Sequence, residues 1–183
     1  MSRLKLVAVS GGLSRPSRSA ALAAAIGEKI ATVVPSDVRL LEVADLVSKL
    51  PGVISAKDAP QEVSDAVQAI ESADALIIAT PVYRASYTGL FKHLFDLVHH
   101  EALIDTPVLL AATGGSDRHA LIIEHELRPL FSFFQALTLP VGVYATDRDF
   151  QNYQVVSEDL KARIALATRN IDRYLLARQP VLA

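Results

Sequence analysis

Apolar residues fall along the chain in two alternating patterns. Leu4-Lys5-Leu6-Val7-Ala8-Val9-Ser10 is a short β-rich run that stops at Gly11-Gly12, which predicts a strand and a turn. Over residues 17–33 the spacing changes, and Leu22, Ile26, Ile30 and Val33 recur as one face of a helix. Residues 37–43 predict a second strand. Residues 45–59, flanked and broken by Pro51, Gly52 and Pro60, predict a loop with a short helical turn, and 61–72 a helix. The run 75–80 (ALIIAT) is apolar without alternation and ends at Pro81, as a strand covered on both faces requires. There follow a helix over 88–98, a strand over 107–113, a long helix over 118–136 and a fifth strand over 137–145. A last helix over 157–176 carries Leu160, Ile164, Ala167, Ile171 and Leu175 on one stripe.

Five strands, each followed by a helix, make a βαβ series. The expected fold is α/β: a parallel sheet with helices on both faces, joined by right-handed crossovers. Five strands predict the flavodoxin-like order 2-1-3-4-5 rather than a six-stranded dinucleotide fold. At 183 residues the chain fits one domain, 1–183, with no internal repeat or linker.

Composition narrows the chemistry. Half the residues are apolar (51%), which excludes disorder, and the absence of cysteine excludes thiol catalysis, zinc–thiolate sites and iron–sulfur clusters. Lys and Arg (18) nearly balance Asp and Glu (20), and no basic block stands out, so neither a nucleic acid nor an anionic membrane is an expected partner. No apolar run approaches the ~20 residues of a membrane span. Met1-Ser2-Arg3 leads straight into the first strand without a signal-peptide pattern, so the expected location is the cytoplasm.

Ligands of open α/β sheets bind beyond the carboxyl ends of the strands, where the strand order reverses. For order 2-1-3-4-5 the loops in question follow strands 1, 3 and 4. The first, Ser10-Gly11-Gly12-Leu13-Ser14-Arg15-Pro16-Ser17-Arg18-Ser19, crowds hydroxyls and guanidinium groups at a helix N-terminus, where free amides and the helix dipole favour an anion. One serine suffices for a helix cap; the surplus points to a monophosphate. The loop matches neither G-x-x-x-x-G-K-[ST] nor G-x-G-x-x-G. The second loop, Thr80-Pro81-Val82-Tyr83-Arg84-Ala85-Ser86-Tyr87-Thr88-Gly89, offers backbone amides and Tyr83 to a flat heteroaromatic ring. In the third, Thr113-Gly114-Gly115-Ser116, two glycines permit close backbone approach. A phosphate loop beside two loops for a planar ring suits a phosphate-bearing flat cofactor, with FMN the first candidate.

These motifs resemble the NADPH-dependent FMN reductase family, and within it the flavin reductases of bacterial sulfonate-sulfur assimilation. The resemblance runs from the 10–19 loop through 73–83 to 113–116 and beyond. Ser17-Arg18-Ser19 together with Thr80-Pro81-Val82-Tyr83 and Ser86-Tyr87-Thr88-Gly89 carry it. It implies that Ser10, Ser17, Arg18 and Ser19 hold the FMN phosphate. Pro81, Val82, Tyr83 and Arg84 would line the isoalloxazine and ribityl chain, with Thr113, Gly114, Gly115 and Ser116 opposite. It further implies hydride transfer from NADPH or NADH to an FMN that is substrate or weakly held, and delivery of reduced FMN to a flavin-dependent sulfonate monooxygenase. The alternatives are an FMN-containing quinone, azo or chromate reductase, and a non-enzymatic FMN electron carrier. In the alkanesulfonate-linked branch an inserted tyrosine makes a π-bulge in the helix after strand 4. Here His125 stands in its place, in Ile123-Glu124-His125-Glu126-Leu127-Arg128-Pro129, which points to the methanesulfonate-linked branch.

Other chemistries have less support. His93, His99, His100, His119 and His125 show no H-x-x-x-H spacing, and His93 with His100 lacks a third ligand, so no metal site is expected. Ser116-Asp117-Arg118-His119 has the letters of a triad without a nucleophile elbow. Hydride transfer between two cofactors requires no dedicated protein acid or base, so no catalytic side chain is expected. Leu90, Phe91, Leu94, Phe95, Leu97 and Val98, with Leu130, Phe131, Phe133, Phe134 and Leu137, exceed what one sheet contact uses and predict a homodimer or homotetramer interface.

Overall fold

A computed structural model describes residues 3–176; Met1 and Ser2 lie outside the described residues. Strands β1 (Leu4–Ser10), β2 (Ser36–Glu42), β3 (Ala75–Pro81) and β4 (Pro107–Gly114) form a parallel sheet that β5 (Leu137–Thr138) and β6 (Val143–Thr146) complete. The order is β2-β1-β3-β4-β5, as expected, with β6 also paired to β4. Adjacent positions of each inner strand feed opposite cores. Val7, Val9, Leu76, Ile78, Val108 and Leu110 pack on one face beneath α2 (Gln61–Glu71), α3 (Gly89–Asp96) and α4 (Arg128–Phe133). Leu6, Ala8, Ile77, Ala79, Leu109 and Ala111 pack on the other beneath α1 (Arg18–Ala31), α5 (Glu158–Thr168) and α6 (Ile171–Leu176). Burial on both faces explains why these strands read as continuous apolar runs.

Three expected elements differ in detail. The fifth strand is two short ones: Leu137 and Thr138 pair with Pro107 and Val108, then Val143–Thr146 pair with Ala111–Gly114. Pro140 lies between them and has no N–H to give the ladder. The last helix breaks at Asn170, which adopts a left-handed conformation (φ 60°), yet its predicted stripe stays buried through both halves. The long helix over 118–136 becomes a 3-10 turn (Asp117–His119), a π-helix (Ile123–Leu127) and α4. Pro129 supplies a cause. It cannot donate to the carbonyl of residue 125 and its ring pushes that carbonyl aside, which a wide turn accommodates.

The apolar surplus on α3 and α4 is mostly core within the chain. Phe91, Phe95 and Phe131 are fully buried, with ring centroids 4.8 Å (Phe91–Phe95) and 5.1 Å (Phe95–Phe131) apart. Phe133, at 66% exposure, and Leu137 remain at the surface.

Candidate functional site

Three loops meet at the carboxyl end of the sheet, where the order reverses between β1 and β3. They are bonded to one another. The Gly11 amide donates to Ala79 O (2.8 Å), the Thr88 hydroxyl donates to Gly11 O (2.8 Å), and the Val82 amide donates to Thr113 O (2.8 Å). The Ser19 and Thr113 hydroxyls, both buried, lie 2.7 Å apart and join the first loop to the third. These cross-links fix the loops before any ligand arrives.

Between them opens a cleft of about 400 Å³. Of the expected cofactor residues, Ser17, Arg18, Ser19, Pro81, Val82, Tyr83, Thr113, Gly114 and Gly115 line it. Ser10, Arg84 and Ser116 do not. Ser10 is fully buried beneath the loop, where its hydroxyl accepts from the Gly12 amide (3.4 Å). Ser116 caps the following 3-10 turn by accepting from the Arg118 amide (3.2 Å). Arg84 sits at the tip of a two-residue turn, closed by Tyr83 N–H donating to Ser86 O (2.8 Å) and Ser86 N–H to Tyr83 O (3.1 Å). Arg84 and Ala85 both take left-handed conformations there (φ 50° and 68°), strained for residues other than glycine. The Ser86 hydroxyl donates to Glu126 (2.8 Å), tying this turn to the π-helix.

At the head of α1, Ser17 is the N-cap and accepts from the Ala20 amide (3.3 Å). The amides of Arg18 and Ser19 precede the first intrahelical bond, so with the Ser14 and Ser17 hydroxyls they offer donors to an anion. Gly12 is needed for close approach, since a Cβ there would lie 2.5 Å from Ser17 Oγ. Gly114 is similar: a Cβ would collide with the Tyr144 hydroxyl, which donates to Ser116 O (2.6 Å). Burial first, then the Asp117 and Asp147 carboxylates, raises the Tyr144 phenol above its ordinary pKa and keeps it a donor.

The cleft also recruits residues beyond the expected cofactor set. Gly12, Leu13, Ser14 and Pro16 come from the first loop, and Asp147 and Tyr153 from the segment after β6. Asp147 Oδ1 is 3.1 Å from Arg18 Nη1, and the Arg18 guanidinium lies 6.0 Å from the Tyr153 ring centroid. Tyr153 tips a small hairpin of β7 (Phe150–Gln151) and β8 (Gln154–Val155). The signal was positional: the carboxyl end of β6 lies beside that of β4, so its loop belongs with the other three.

The donor set fits FMN: hydroxyls, amides and a guanidinium for the phosphate, and peptide and tyrosine surfaces for a flat ring. Among the described residues that line it, Asp147 is the one carboxylate, and Arg18 engages it.

The histidines lie elsewhere. The His93 ring is bonded to Val53 O (2.6 Å). His125 is exposed in the middle of the π-helix. His99, His100 and Glu101 put possible ligand atoms within 4.8 Å of one another, all exposed, a grouping that brings a carboxylate rather than His93 beside His100. Among the described residues no helix is long and apolar enough to cross a membrane.

Comparison with known proteins agrees with this geometry. Residues 4–151 match the family model described as NADPH-dependent FMN reductase. An FMN reductase (NADPH) of Pseudomonas aeruginosa is 57% identical over 166 residues, covering 91% of this chain and 89% of that protein. An NADH-dependent FMN reductase, SfnF, of Pseudomonas fluorescens is 58% identical over 168 residues, covering 91% and 90%. The apo crystal structure of the NADH:FMN oxidoreductase EmoB superposes with a TM-score of 0.81 at 31% identity, over 94% of this chain and 88% of that one. With a flavodoxin-like sheet, a cleft at its reversal point and these likenesses, the chain belongs to the NADPH-dependent FMN reductase family.

Proposed function

We propose that the cleft takes FMN as a diffusible substrate, lets a reduced nicotinamide dinucleotide transfer hydride to it, and releases reduced FMN to a flavin-dependent sulfonate monooxygenase. The observation that carries this reading is the lining of the cleft: hydroxyl and amide donors at the head of α1 facing the Pro81–Tyr83 and Thr113–Gly115 walls. The two cofactors supply the hydride chemistry when bound. The chain's own residues bind and orient. Ser14, Ser17 and Arg18 with the first-turn amides hold the phosphate, and the bonded Val82–Thr113 pair keeps the two walls at fixed separation. Ser19 supports this from behind, through Thr113.

Replacing Ser17 and Arg18 together by alanine removes charged and neutral donors, each charged bond being worth about 1.5–3 kcal/mol. The FMN dissociation constant should rise about tenfold or more; an unchanged titration rejects the phosphate assignment.

The enzyme works in the cytoplasm as a homo-oligomer in this reading. Exposed Phe133 and the groove of about 610 Å³ between α3 and α4, which it lines with Tyr87, Leu130 and Phe134, support the assembly. A monomer by light scattering in the presence of FMN rejects it. His125 lies in a π-helix that forms without tyrosine, and its replacement should alter flavin release or assembly; identical kinetics and mass make it a bystander.

A further inference from the structure

Among the described residues that line the cleft Arg18 is the one cation, and it is already engaged. Its partner Asp147 is held there by the fold. The β4–β6 register that sets Thr113 against Ala145 and Gly114 against Thr146 carries residue 147 to the mouth of the cleft. In the next turn Asp149 turns inward instead: the Thr146 amide (2.7 Å) and hydroxyl (2.9 Å) both donate to its carboxylate. Arg148 is taken by Asp117, at 2.9 and 3.1 Å. Among the described residues, Arg18 is therefore the only ion-pair partner of Asp147. Both side chains are about half exposed, and ion pairs of this kind are worth little and open readily.

We propose that Asp147 competes with the flavin phosphate for Arg18 and so sets how tightly FMN is held, making the flavin easy to release after reduction. This rests on the phosphate assignment above. An incoming phosphate must share or displace the Asp147 carboxylate, and it remains close to that like charge once bound. The Tyr153 ring beside the guanidinium keeps Arg18 at the mouth of the cleft when the pair opens. Asp147 is then an affinity-setting residue, and removing its charge should tighten flavin binding.

The test compares FMN with riboflavin, which lacks the phosphate, by fluorescence titration of the full chain and of the Asp147→Asn and Asp147→Ala variants. Asp147 is exposed and packs into neither core, so two different replacements guard against a fold defect in either. Both should bind FMN roughly three- to tenfold more tightly, with riboflavin affinity unchanged. Unchanged or weaker FMN binding in both variants, while the parent protein still prefers FMN to riboflavin, overturns the role of Asp147 alone. A parent protein that binds the two flavins equally overturns the phosphate assignment, and this inference with it.

Discussion

Gly114→Ala is a one-carbon change with a calculable consequence. The backbone of Gly114 is not left-handed, so alanine meets no conformational penalty; the cost is steric. Its Cβ would overlap the Tyr144 hydroxyl and lie 3.2 Å from Tyr144 Cζ and 3.4 Å from Val82 Cγ2. Tyr144 must move, giving up its bond to Ser116 O (2.6 Å) and disturbing the wall built by Thr113, Gly114 and Gly115. Overpacking of this sort costs about 1–3 kcal/mol, and the lost hydrogen bond about 1 kcal/mol. Tyr144→Phe alone forfeits only the bond. In that background the hydroxyl is gone, the remaining contacts need shifts of a few tenths of an ångström, and Gly114→Ala should cost under about 1 kcal/mol. Urea unfolding of the two single variants and the double variant measures this. The expected coupling is about 1–3 kcal/mol, with FMN affinity lowered in Gly114→Ala and recovered in the double variant. Strictly additive stabilities would show that the hydroxyl is not what excludes a side chain at this position.

Three further outcomes follow from the geometry. Burial opposes ionisation of Asp149, but bonds from Thr146 and Ser157 prevail and hold its carboxyl below the ordinary aspartate value of about 3.9. The stabilisation is therefore full above that value and fades as pH falls through the depressed one. Asp149→Asn should lose about 1 kcal/mol at neutral pH, measured by urea unfolding, with the gap to the parent closing in strong acid; a gap independent of pH contradicts it. Ala85→Gly should stabilise the free protein by up to about 1 kcal/mol by relieving the left-handed residue, whereas a loss would mean the turn is not strained. Glu126→Ala, which unties the turn from the π-helix, should raise the Michaelis constants with little effect on global stability; unchanged kinetics would make the Ser86–Glu126 bond incidental.

The sheet order and both cores were legible because period and length agree along the inner strands, where each residue has one of two faces to fill. The first loop was legible because four serines exceed what one cap needs, although Ser10 and Ser19 proved to brace the loop from inside rather than simply to face the cleft. The split edge strand and the π-helix each had a proline to announce them, Pro140 and Pro129. Residue spacing alone does not say whether a proline bends an element, divides it or ends it. Asp147 and Tyr153 were legible only by position: the loop after the last strand opens at the same end of the sheet as the other three, but nothing in its residue types marks it as part of the site. The phenylalanines of α3 and α4 were legible as an apolar surplus, but not how that surplus divides between core and surface. Their number suggested an external partner, while aromatic packing within the chain absorbs all but Phe133.

The central claim, that flavin enters and leaves as a substrate, is tested most directly by following NADPH or NADH oxidation by the purified chain with and without excess free FMN. The account predicts a rate that appears on adding FMN and saturates in it. A rate indifferent to added FMN, from protein that purifies with stoichiometric flavin, would contradict it and mark a resident flavin serving another acceptor.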